Sequence, residues 1–167
     1  MKKIILGIAA LTGLMVATAQ TNQGDWMVGG NFRLNTSDNN SEISFTPSAG
    51  AFIVENLALG GNFSLGYSKS GNKYTTFGIG PFARYYFTTE SQAVRPIIHG
   101  SFNYLSTKQK IGNVSSTNNG TNFFIGGAAA MFISKNVSID ALLGYDRTKY
   151  KNFSGSGGFA FNVGFQG

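Results

Sequence analysis

The sequence has no cysteine, a single histidine, three prolines and few charges, with Asp, Glu, Lys and Arg together making up 12 % of its 167 residues. Without cysteine there is no disulfide framework, and one His with no Cys gives no structural zinc or iron site. The charged share is about half the usual figure of ~25 % for soluble domains, which argues against both a fully solvated surface and a disordered secreted chain. No Gly-rich phosphate loop joins a strand to a helix, and the residues suggest no cofactor. Beyond the first twenty residues, no run is long and apolar enough to cross a bilayer as a helix.

That first stretch has the layout of an export signal. Lys2 and Lys3 precede the apolar run Ile4 to Val16, and Ala17-Thr18-Ala19 offers small residues for a cut before Gln20. No Cys follows Ala19, so a lipoprotein anchor has no acceptor. The expected division is therefore a signal peptide over 1–19 and one domain over 20–167. Removing Lys2 and Lys3 lowers the formal charge from +6 to +4, a weak basis for nucleic-acid binding, and export makes that partner inapplicable.

Glycine (23 residues) and aromatics (14 %) are abundant instead. They fall into a period of two. From Leu57 to Tyr67, every odd position except Gly61 is bulky and apolar, and every even position is small or polar. The small face suits a crowded lumen, and the bulky face suits lipid. Eight strands follow from this alternation: 26–37, 41–54, 57–68, 74–87, 94–106, 121–133, 137–149 and 157–166. The expected fold is all-β, an eight-stranded antiparallel up-and-down transmembrane β-barrel of the bacterial outer membrane. Phe77, Ile79, Tyr85, Ile139, Leu143, Phe159, Phe161 and Val163 fall outward. The sixth strand is apolar on both faces from Phe124 to Met131, where a short helix competes with a strand; its Gly126-Gly127 pair favours the strand. Tyr67, Tyr104 and Tyr145 mark one rim, and Trp26, Tyr85, Phe87 and Phe165 the other. The tight turns around Glu55-Asn56 and Lys135-Asn136 echo each other. The Asn-, Ser- and Thr-rich stretches 107–120 and 150–156 read as long outer loops.

Three segments carry a family resemblance: Gly78 to Phe87 (GIGPFARYYF), the turn from Phe52 to Leu59, and the alternating end Gly158 to Phe165. With them the chain resembles the small outer-membrane β-barrels of Bacteroidetes-type bacteria, related in architecture to OmpX and the OmpA transmembrane domain. The family's assembly signal ends on a terminal aromatic, whereas Gln166 and Gly167 follow Phe165 here. The resemblance implies export, handling by the outer-membrane assembly machinery and a monomeric barrel among outer-membrane lipids and lipopolysaccharide. Its motifs are not catalytic ones.

Parity sends Arg33, Glu42, Arg84, Arg95, His99, Asp140 and Asp146 into the lumen, where charges must pair or meet water. Arg33 and Glu42, near the outer end of adjacent strands, are the expected pair; Arg84, Arg95 and Asp140 lie nearer the inner end. The reading is a polar network that fills the lumen, set against a narrow path for ions or solutes. His99-Gly100-Ser101 resembles the His-x-Ser pair of lipid A deacylases, but both side chains point inward and no acid completes a triad, so no catalytic residue is assigned. Lys69, Lys73, Lys108, Lys110, Lys149 and Lys151 map to the outer loops, where a ring of ammonium groups could meet glycolipid phosphates; Lys135 alone maps to the inner turns. The functional expectation is a non-enzymatic structural or surface-interaction barrel. A narrow channel, a lipid-modifying enzyme and a soluble lipocalin-like barrel with an apolar interior are the alternatives.

Overall fold

Alternation of bulky and small side chains leaves the backbone free to pair on both edges, and the chain pairs with itself eight times. In the computed structural model, which describes residues 21–37, 40–70, 72–88, 93–111, 114–134, 136–151 and 154–167, the strands are β1 (Trp26–Ser37), β2 (Asn40–Val54), β3 (Leu57–Ser70), β4 (Asn72–Tyr86), β5 (Val94–Ile111), β6 (Val114–Phe132), β7 (Ser138–Tyr150) and β8 (Ser156–Gln166). Each is antiparallel to its chain neighbour, and β8 returns to β1 to close the barrel. The expected signal segment, its cleavage point and Lys135 lie outside the described residues.

The side-chain polarity is inverted relative to a water-soluble barrel. Trp26, Phe32, Phe63, Ile79, Phe102, Ile125, Leu143 and Phe161 are exposed on the outer face, while Asn62, Arg84, Arg95, His99, Asp140 and Asn162 are buried inside. An apolar band running round the whole barrel far exceeds the few hundred Å² that water-soluble proteins leave uncovered, and it fits a bilayer. Both aromatic rims are present: Tyr67, Tyr104 and Tyr145 are exposed toward one end, and Trp26, Tyr85, Phe87 and Phe165 toward the other. We call the second the terminal end, because Thr21 and Gly167 lie there, and the first the hairpin end.

Two expectations change. The polar stretch 107–120, expected as a loop, is mostly paired strand: β5 and β6 stay in register from Val94↔Met131 out to Ile111↔Val114. Polarity marks exposure to water, and a hairpin standing clear of the membrane satisfies its ladder without an apolar face. On the hairpin side 38–39, 71, 112–113 and 151–155 separate the strands, and on the terminal side 55–56, 87–93 and 133–137, so the longer intervals are not confined to one end. The helical alternative for β6 is excluded, since His99↔Gly126 and Gly126↔Gly144 place this segment in register on both sides. Gly126 is required there. A Cβ on it would meet the Leu143 carbonyl oxygen at 2.6 Å and the Phe124 ring at 2.9 Å. Gly127 points outward, and its Cβ would meet nothing nearer than 3.8 Å.

The closing ladder is the shortest, running only from Gly29↔Gln166 to Phe32↔Val163. Val28 and Gly167 extend it with reciprocal backbone hydrogen bonds of 2.7 Å. The two residues after Phe165 therefore belong to the seam, with Gln166 buried in the lumen against Gly29.

These contacts set a paired test of the inward glycine. Gly126→Val is expected to reduce the fraction of heat-modifiable, folded barrel on gels, whereas Gly127→Val, facing lipid, folds like the parent; equal folding of the two would contradict the assigned faces.

Candidate functional site in the lumen

The lumen is not uniformly polar, which corrects the expectation of a network filling it. Its terminal half holds an apolar core of Met27, Phe52, Ala58, Phe82, Tyr86, Ile97 and Ala130. The inward aromatics on β2, β4 and β6 are as much a part of the alternation as the inward polar residues, and they gather in two tiers, Phe52, Tyr86 and Phe132 in one and Phe82 and Phe124 about His99 in the other.

Set into this core is an ion pair. Arg84 on β4 and Asp140 on β7 lie 2.5 Å apart, with side chains 2 % and 0 % exposed. The Ser138 hydroxyl donates to the other Asp140 oxygen at 2.9 Å. Arg84 Nη1 lies 3.4 Å from the Tyr86 hydroxyl, which in turn reaches Met27 Sδ at 3.5 Å. Arg84 Nε donates to His99 Nδ1 at 3.4 Å, and the imidazole stacks on Phe82 (5.7 Å between ring centres) and tilts against Phe124 (6.0 Å). Together these groups form a septum across the barrel.

A cavity lies on either side of it. The one toward the hairpin end, about 230 Å³, is walled by Asn, Ser and Thr side chains and floored by Phe82, Arg84, His99 and Phe124. The one toward the terminal end, about 210 Å³, is bounded by Met27, Phe52, Tyr86 and Phe132.

The expected Arg33–Glu42 pair does not form. Arg33 instead approaches Asp146 at 3.6 Å and donates through Nε to Asn162 Oδ1 at 2.8 Å. Arg33 sits opposite Ser44, and Glu42 opposite Asn35, two residues further toward the hairpin end, so Glu42 is offset by about 7 Å along the strand. Asp146 is reached across β8, and Asn122 Nδ2 donates to it at 2.8 Å. Glu42 lines the upper cavity and makes no ion pair among the described residues.

Arg95 serves a different task from the other lumen charges. It sits at the terminal mouth, where Nη1 donates to Thr21 Oγ1 (2.9 Å), Nη2 to Asn56 Oδ1 (2.6 Å) and Nε to the Phe87 carbonyl (3.2 Å). Its guanidinium lies 5.7 Å from the Tyr86 ring centre. The Thr21 hydroxyl donates to Asn56 Oδ1 at 2.7 Å, and the Thr21 carbonyl accepts from Asn56 N–H at 2.9 Å. Gly24 and Asp25 add backbone bonds to Phe52, so the segment before β1 folds across the mouth. Asn56 carries a φ of +66°, a left-handed conformation that Asn adopts more readily than most residues. Sequence reasoning missed Thr21 and Asn56 as partners. The turn at Asn56 was legible, but nothing local says which cation its side chain meets.

His99 and Ser101 both face the upper cavity. The imidazole is held by Arg84 and two aromatic rings, and the carboxylate of this cluster, Asp140, is occupied by Arg84 and Ser138. No hydrogen bond joins His99 to Ser101 or to a carboxylate among the described residues, and three metal-ligating side chains come together nowhere among them.

The fold is that of the eight-stranded outer-membrane β-barrels. Among solved structures, the chain is similar to Neisserial surface protein A (TM-score 0.59, 18 % identity, covering 84 % of this chain and 93 % of that one). It is also similar to the N-terminal β-barrel domain of Pseudomonas aeruginosa OprF (0.55, 15 %, covering 87 % and 98 %). The attachment invasion locus protein Ail of Yersinia pestis matches with a TM-score of 0.50 and 12 % identity, covering 87 % of this chain and 99 % of that one. At these identities the likeness is one of fold. The chain matches no protein-family model and, by sequence, no curated protein.

The septum yields a stability test. Arg84→Met strands a buried carboxylate and is expected to cost about 3–5 kcal/mol, while Arg84→Met with Asp140→Leu recovers most of that loss. Urea unfolding in detergent micelles measures both; an unchanged midpoint for the single variant would contradict the buried pair.

Proposed function

We propose that the chain is an integral, non-enzymatic protein of the bacterial outer membrane, exported by its N-terminal signal, monomeric, and structural or surface-interactive in role. The observation that carries this reading is the septum. Arg84, Asp140, Tyr86, Phe82, His99 and Phe124 occupy the section between the two cavities, so the barrel is closed to solutes while its hairpin end remains available to partners. The β5–β6 hairpin, paired beyond the tyrosine rim, is the most extended element there. One neighbour in fold bears the name of an attachment protein, which agrees with a surface role. The narrower kinship with Bacteroidetes-type barrels rests on the three sequence segments, and dependence on the outer-membrane assembly machinery follows from the barrel class.

A narrow channel is the second reading, favoured by two cavities on one axis. Planar-bilayer recording separates the two. The parent protein is expected to give no conductance steps, and Arg84→Ala with Tyr86→Ala, which joins the cavities, to give small ones. Regular steps from the parent would replace the structural reading with the channel.

A further inference from the structure

The expected ring of lysines is not a ring. Strand register gathers the outward cations of the hairpin end into two groups. Lys69 on β3 sits directly opposite Lys73 on β4, and Lys73 directly opposite Lys110 on β5. Lys108 lies two positions from Lys110, opposite Thr75. Directly opposed residues share a face of the sheet, so these four positions form one outward patch across three strands. Lys69, Lys73 and Lys108 are exposed. The second group, Arg147, Lys149 and Lys151, follows Tyr145 at the far end of β7. No Lys or Arg faces outward on β2, β6 or β8.

Three features of the β3–β5 patch call for an anion. Like charges placed directly across a ladder repel, with Cβ atoms only ~4.5–5.5 Å apart, and Lys69 and Lys73 are so placed, with position 110 next in register. No carboxylate among the described residues relieves it. Glu42, Asp140 and Asp146 point into the lumen, Asp25 and Glu55 lie at the terminal end, and no lysine joins an ion pair among the described residues. The level is also specific. On β3 the outward residue before Lys69 is Tyr67, and on β5 Lys108 follows Tyr104 by four positions. That places the ammonium groups roughly 7–14 Å along the strand beyond the tyrosine rim, at the depth where headgroup phosphates lie.

We infer that the Lys69–Lys73–Lys108–Lys110 patch binds the phosphate groups of the outer-leaflet glycolipid. This rests on the outer-membrane reading for its lipid but not on the closed lumen. A phosphorylated headgroup supplies the fixed negative charge the opposed lysines lack, while its acyl chains lie along the apolar band beneath.

The experiment compares the signal-free barrel in phosphatidylcholine vesicles containing lipid A that is either bis-phosphorylated or dephosphorylated. The thermal midpoint of the parent is expected to rise with the phosphorylated form only, and the rise to shrink in 0.5 M salt. The variant Lys69→Gln, Lys73→Gln, Lys108→Gln, Lys110→Gln is expected to lose the rise. In phosphatidylcholine alone it should instead melt above the parent, because the repulsion is gone. Neutralising Arg147, Lys149 and Lys151 serves as the matched control and should retain more of the rise. An equal response to both lipid A forms, or a quadruple variant that keeps the full response, would overturn the site. The same rise with inorganic phosphate in plain phosphatidylcholine would assign the patch to a free anion and overturn the lipid. Failure of the parent to insert into vesicles at all would instead remove the outer-membrane reading.

Discussion

Everything in this protein follows from the need to satisfy backbone hydrogen bonds where no water is available. Inside hydrocarbon, an unpaired N–H or C=O costs several kcal/mol, so a sheet can cross only if it closes. Closure explains the seven successive hairpins and the return of β8 to β1. It also explains why the last two residues matter. The closing ladder is short, and Val28 with Gly167 lengthens it by two bonds. Once the backbone is satisfied, the side chains are free to sort by solvent, bulky groups to lipid and small or polar groups to the axis.

A cylinder of this size leaves an interior that side chains nearly fill. The chain fills it unevenly. At the level of Arg84 and Asp140 the section is closed by an ion pair embedded among aromatic rings. Such a pair needs further hydrogen bonds to offset its desolvation, and Ser138, Tyr86 and His99 stand around it. At the terminal mouth Arg95 donates, among the described residues, to neutral oxygens, those of Thr21, Asn56 and Phe87. It ties the segment before β1 to the turn between β2 and β3. The two arginines thus close the barrel at two levels by different means.

The strands, their faces and their rims were legible along the chain. Leu57 to Tyr67 shows its alternation without reference to anything else, and Tyr67, Tyr104 and Tyr145 needed only strand limits to fall on one rim. The stretch 107–120 was misread because a polar hairpin in water and a polar loop have the same composition. The apolar core of the terminal half is hidden in the sequence for a similar reason. Phe52, Phe82 and Ile97 lie on different strands, and an inward apolar residue on one strand says nothing of the level at which the others arrive.

The sequence by itself determined which residues face lipid and which face the axis, because a period of two is a property of the backbone at each residue. Only the tertiary structure decided who meets whom inside. Arg33 passes over Glu42 on the neighbouring strand for Asp146 across β8, and Thr21 reaches Arg95. Those partnerships depend on the register of every ladder around the ring and on the tilt that closure imposes, a constraint shared by the whole barrel and encoded in no single segment.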